Sequence, residues 1–294
     1  MDSSPVITIG LPIALAIIMF GLGLTLTVAD FRAVARSPRA VVGALVLQVL
    51  VLPVVAFGLV KAFDVDPLLA VGVMLLAASP GGTTANLFSH LFHGDVALNV
   101  TLTAINSVIA VVTIPLITNF AISHFDGDGD LGLQLGKVLQ VVAIVLVPVA
   151  VGMVVRRRSE GVADRADRPV RIFSIVVLVA VSVGAILGER ENIVDYTQQV
   201  GLLMALFCLI SLTVGYVGAR LLRVDERQAV SCSMEIGIHN TTVALTIALS
   251  VLDSSEVAIP AAVYSIVMYV LAAAFGYLVL RPRAAHPAAK HAVR

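Results

Sequence analysis

The sequence predicts an all-α polytopic membrane protein of about nine transmembrane helices, folded as an inverted repeat with two discontinuous helices. Three observations predict it. Of 294 residues, 59% are hydrophobic and 13% charged, and the mean hydropathy of +1.02 exceeds what a soluble core of this size needs. The apolar residues gather in runs of bilayer length with short connections. Two of those runs carry a break candidate at mid-span, in matching surroundings. Net charge is zero and basic residues do not interleave with aromatic ones, so nucleic acid is not an expected partner. Cys208 and Cys232 have neither a pairing pattern nor metal-ligand spacing and read as packing residues.

The chain opens on Met1-Asp2-Ser3-Ser4-Pro5, without a basic n-region, so the first run, Val6–Val28, reads as a span and not a cleaved signal. Ala40–Phe63 is the second. The third, Leu68–Phe92, is interrupted by Pro80-Gly81-Gly82. A turn in hydrocarbon strands backbone N–H and C=O groups, so it persists only where protein or a wet cavity covers it. Val96–Ile122 and Leu131–Val155 follow, with the acidic Asp126–Asp130 between them. That stretch lacks the downstream Glu of a calcium loop and reads as solvated. After a charged loop come Val170–Leu187, Val200–Leu222, Ala229–Leu252 and Val257–Leu280; the tail, 281–294, reads as disordered and cytoplasmic.

Charge orients the spans. With the N-terminus outside, 16 of the 19 Lys and Arg fall on the inner side, including Arg32, Arg36, Arg39, Arg156–Arg158 and Arg220. Lys61, Lys137 and Arg190 fall outside. This asymmetry is a strong positive-inside signal. The expected setting is the cell membrane (plasma or inner), crossed many times, with the C-terminus cytoplasmic.

The chain also repeats. Gly82-Thr83-Thr84-Ala85-Asn86-Leu87 lies in the third span of a first set, and Asn240-Thr241-Thr242-Val243-Ala244-Leu245 in the third span of a second. Each Thr-Thr pair follows a break candidate, Pro80-Gly81-Gly82 or Gly237. The single transporter domain, 1–294, then divides into a first half (1–122), an unpaired span with the basic loop (123–168) and a second half (169–280). The halves start on opposite sides, which places a site at their interface near the midplane. Half-helix N-termini there, at Thr83–Thr84 and Asn240–Thr241, favour an anion.

Glu235 is the acidic residue that falls inside a span. At the bilayer centre a carboxylate costs roughly 2.5–3.5 kcal/mol even on insertion scales, so it faces a partner or a cavity. His239 follows one helical turn on, placed on the same face. Gln48, Asn86, Asn99, Thr101, Thr103 and Asn106 add oxygen and amide groups from the first half. Asn99, Thr103 and Asn106 share a helix face, and an oxygen-rich cluster of low charge suits a hard cation such as sodium. For Thr101 and Asn106, hydrogen bonding between helices is the preferred reading.

These residues resemble the bile acid:sodium symporter family over essentially the whole chain. The resemblance rests on Pro80-Gly81-Gly82-Thr83 with Asn86, on Gly94-Asp95-Val96-Ala97-Leu98 with Thr103, on Pro115, and on Glu235-Ile236-Gly237 with Asn240. It implies core and panel domains, with the broken helices crossing in the core. It also implies one sodium site at Ala85, Asn86, Asn99, Thr103 and Glu235. A second would fall on Gln48, Glu235, His239 and the carbonyls of Ile236 and Ile238. Ala85 stands where a hydroxyl is expected, Asn99 where a serine is, and His239 where a glutamine is. Ala85 supplies no ligand, and His239 offers a nitrogen in place of an oxygen.

The expected function is sodium-coupled symport of a small organic anion by alternating access, with a monomer as the working unit. Proton coupling is the alternative, since His239 titrates near neutrality; a passive channel or facilitator is another. An intramembrane enzyme is not expected, because the spans hold no Ser-His-Asp order, Asp pair or zinc ligand set.

Overall fold

The computed structural model describes residues 11–25, 27, 35, 37–125, 135–188 and 193–279. The acidic loop at Asp126–Asp130 and the tail 281–294 lie outside them. The described secondary structure is helical: α1 (Leu11–Thr25), α2 (Pro38–Ala62), α3 (Pro67–Ala78), α4 (Thr84–Leu91), α5 (Val96–Phe125) and α6 (Leu135–Arg158). There follow α7 (Glu160–Gly188), α8 (Ile193–Leu221), α9 (Glu226–Gly237), α10 (Thr241–Ser250) and α11 (Ser255–Leu278). Among the described residues four continuous stretches are long and apolar enough to cross a membrane: Pro38–Ala62, Val96–Phe125, Gln198–Leu221 and Ser255–Leu278. The runs Ala40–Phe63, Val96–Ile122, Val200–Leu222 and Val257–Leu280 read from the sequence overlap these four stretches.

The breaks follow from local chemistry. Pro80 drives the preceding residue out of the helical region, and Ser79 is extended at φ −70°, ψ 147°. That ends α3, and α4 restarts after Thr83. In the second half, α9 ends at Gly237 and Ile238 turns to φ −110°, ψ 92°. The expectation that His239 shares a helix face with Glu235 is therefore wrong. The helix stops between them, and the extended backbone re-aims the ring.

The breaks satisfy one another. Gly81 and His239 form an antiparallel bridge, in which Gly82 N–H donates to Ile238 O at 2.7 Å and Asn240 N–H to Pro80 O at 2.8 Å. Backbone groups that two separate turns would leave bare are thus paired between the two breaks.

Inside α2, Leu47–Val51 forms a π turn holding the buried Gln48. Pro53 lacks the N–H for an ordinary i→i−4 bond, and the widened turn takes up that defect. Helix α1 packs chiefly on α6 and α7. Added Cβ atoms at Gly23 and Gly152 would strike the backbone of the facing helix, so two glycines let α1 and α6 touch. The remaining helices enclose a core whose largest fully buried side chains include Tyr264 and Phe207. Leu50, Val54, Val112, Leu116 and Val270 point outward, an apolar exterior suited to lipid.

Candidate functional site

The buried Glu235 sits in the last turn of α9, where the bridge brings the first break against it. Its Oε2 accepts a hydrogen bond from Thr103 Oγ1 at 2.6 Å, and Oε1 is buried without a partner. Thr103 also donates to Asn99 O at 3.0 Å, so its single hydrogen is shared between the two acceptors.

The start of α5 is fixed to α9. Asn99 Nδ2 donates to Ser231 O at 2.9 Å, Ser231 Oγ donates to Asp95 O at 2.7 Å, and Asp95 N–H donates to Arg227 O at 3.0 Å. The amide nitrogen of Asn99 is therefore spent on the scaffold, while its Oδ1 stays buried and unpartnered. Asn99 and Thr103 face α9 together, as their spacing predicts. Thr101 instead bonds its own helix at Ala97 O, at 2.9 Å, and Asn106 Nδ2 is buried without a partner.

From α4, Asn86 Oδ1 is likewise buried and unpartnered. So is Ser89 Oγ, one turn on, a residue that sequence reasoning passed over. Ala85 is fully buried and its side chain offers no ligand. Glu235 Oε1, Asn99 Oδ1 and Asn86 Oδ1 are thus desolvated oxygens without hydrogen-bond donors, carried by α9, α5 and α4, which pack on one another. Unpartnered buried acceptors are rare because each costs about 1–3 kcal/mol. A hard cation suits such a set, and the absence of thiol or imidazole from it excludes a zinc-like preference.

Gln48, Ile236, Ile238 and His239, which the resemblance joins to Glu235 as a second site, are all buried. Both ring nitrogens of His239 are engaged, by Gln48 Nε2 and by the Tyr264 hydroxyl, each at 3.3 Å. Ile238 O already accepts from Gly82. Tyr264 was also missed in the sequence, since it lies 25 residues beyond His239 on a different helix.

The half-helix N-termini differ. At α10, Asn240 Oδ1 accepts from Val243 N–H at 3.3 Å, Thr241 N–H donates to His239 O, and the Thr241 side chain is buried. At α4, Thr83 makes no side-chain cap and is exposed, and Thr84 Oγ1 donates to the Tyr269 hydroxyl at 3.4 Å. The Ala85 and Asn86 N–H groups bond to Gly82 O and Thr83 O, so the two ends differ in one respect: α10 has a side-chain cap, and α4 is the end left open to one.

Residues 12–196 match the model of the Sodium Bile acid symporter family. The uncharacterized sodium-dependent transporter YocS of Bacillus subtilis (strain 168) is 29% identical over 86% of this chain and 78% of its own length. A chloroplastic protein of Arabidopsis thaliana, named a probable sodium/metabolite cotransporter, is also 29% identical over 86% of this chain, which spans 62% of that protein. The ileal sodium/bile acid cotransporter of Homo sapiens is 26% identical over 83% of this chain and 70% of its own length. With the family model matching more than half of its residues, the chain belongs to the sodium bile acid symporter family.

Proposed function

We propose that the protein is a sodium-driven symporter that carries a small organic anion across a cell membrane by alternating access. The observation that carries this reading is the buried Glu235 carboxylate, grouped with the unpartnered oxygens of Asn99 and Asn86 at the paired breaks. Charge on Glu235 offsets the cost of stripping water from a cation, and the amide oxygens complete a hard-ligand environment. Thr103 orients the carboxylate.

The anion meets the open end of α4 at Thr83 and Thr84, where no side chain caps the helix and its dipole favours negative charge. Asn240 and Thr241 lie across the bridge and shape the far wall. Sodium bound at Glu235 and an anion at α4 offset each other's charge, so each binds better when the other is present.

In this reading nine spans form two inverted halves. Helices α1, α6 and α7 are the panel, the rest are the core, and one copy of the chain holds the complete site. The basic loop around Arg156–Arg158 is cytoplasmic.

A thermal-shift screen of organic anions, with and without sodium, tests the proposal, because a ligand that binds the native state raises its stability. Synergistic stabilisation by sodium and one anion class is the expected result. Stabilisation by anions that is indifferent to sodium would overturn it.

A further inference from the structure

Gln48, His239 and Tyr264 form a line of hydrogen bonds between the two broken ends. Gln48 Nε2 lies 3.2 Å from Ser79 O and 3.3 Å from His239 Nε2. The Tyr264 hydroxyl donates to Gly237 O at 2.9 Å and lies 3.3 Å from His239 Nδ1. The donor inventory then fixes the protons. Tyr264 has given its hydrogen to Gly237, so it accepts from His239, and Nδ1 carries the ring proton. His239 Nε2 is left as an acceptor for one Gln48 N–H, and the other N–H goes to Ser79. Turning the amide over would set its oxygen against the Ser79 carbonyl.

The relay begins and ends on carbonyls that the breaks release: Ser79 is the C-cap of α3 and Gly237 the last residue of α9. The ring itself is held by Phe207 and Tyr264, whose centroids lie 5.5 and 5.4 Å from it.

The resemblance puts a second cation here, and the residues present leave its shell incomplete. Neither nitrogen of His239 has a free lone pair in this arrangement, and Ile238 O spends one of its two lone pairs on Gly82. The unpartnered side-chain oxygens left in this set are Gln48 Oε1 and Glu235 Oε1, and the latter belongs to the cation group already described. A hard cation takes a shell of several oxygens, and beside the shared Glu235 this set offers only Gln48 Oε1 and the Ile236 and Ile238 carbonyls, with no oxygen from His239.

We propose that the Gln48–His239–Tyr264 relay stands in for a second cation, so that the protein binds and couples a single sodium ion. That ion lies with Glu235, Asn99 and Asn86. The inference rests on the sodium-symport reading above and deepens it to a stoichiometry.

Equilibrium dialysis with radioactive sodium on the purified full-length protein counts bound ions without requiring transport. One sodium per protein is expected, with a Hill coefficient near one in a sodium-titrated thermal shift. Two per protein overturns the relay and leaves sodium symport standing; none overturns both. Two variants then locate the ion. Asn99→Ala is expected to lose it, and a folded Asn99→Ala protein that still binds one sodium overturns the assignment. Tyr264→Phe, which cuts the relay at Gly237, is expected to melt at lower temperature and still bind one sodium. Should that variant fail to fold, the wild-type count decides.

Discussion

The Glu235 carboxylate lies directly against the Cα of Gly81, in space that any side chain at position 81 would occupy. No described glycine here has a positive φ, so the requirement is for room and not for backbone freedom. Gly81→Ala is expected to push the carboxylate away from Asn99 and Thr103 and to lower sodium affinity at least about tenfold, or about 1.4 kcal/mol. A sodium titration followed by thermal shift measures this. Unchanged affinity in the folded variant would mean that Glu235 is not the cation ligand.

Glu235→Gln keeps the shape of the side chain, one carbonyl oxygen and an acceptor for Thr103, and removes the charge. Sodium-dependent anion binding is expected to vanish while the helical circular dichroism stays that of the wild type. Radioactive sodium binding by well-folded Glu235→Gln protein would contradict the proposed role.

Negative charge at the open end of α4 should repel an anionic substrate. Thr84→Asp is expected to abolish uptake in a protein that still binds sodium. Thr101→Asp, buried and bonded to its own helix, is expected to lower expression instead. Thr241→Asp is a poor probe, because Thr241 is also buried and folding would confound the result. Normal uptake kinetics in Thr84→Asp would move the anion elsewhere.

The cap at α10 carries a stability prediction. Asn240→Ala removes the acceptor of the Val243 N–H and should cost about 1 kcal/mol, lowering Tm by about 2–4 °C. Asn240→Asp keeps the acceptor and should recover most of that loss. Equal melting of all three proteins would show that the cap contributes little.

Orientation is tested by labelling. A cysteine at Ser159, between α6 and α7, should react only from the cytoplasmic side, and one at Asp128 only from outside. Cys208 and Cys232 are buried and should stay silent as background. Labelling of both from one side would mean a miscounted span and would remove the inverted repeat with it.

What could be read from the chain followed the range of the physics. Apolar run length marks helices, and Pro80 and Gly237 mark breaks, because these effects act over a few residues. The pairing of Asn99 with Thr103 was legible for the same reason, since one helical turn sets it. The meeting of Gln48 with His239 joins residues 191 apart and depends on how the two breaks cross. Nothing in a single sequence ties Tyr264 to either. The shared face for Glu235 and His239 failed because helical spacing was carried through a residue where the helix ends.

The Gly81–His239 bridge has a mechanical consequence. Two short hydrogen bonds lock the mouths of α4 and α10 together, so the halves of the chain cannot slide past each other without exposing bare amides to hydrocarbon. In the proposed transport cycle the crossing then acts as a fixed saddle that keeps cation and anion at one separation. Opening to either side would in that cycle fall to α1, α6 and α7, of which α1 and α6 are joined by close glycine contact.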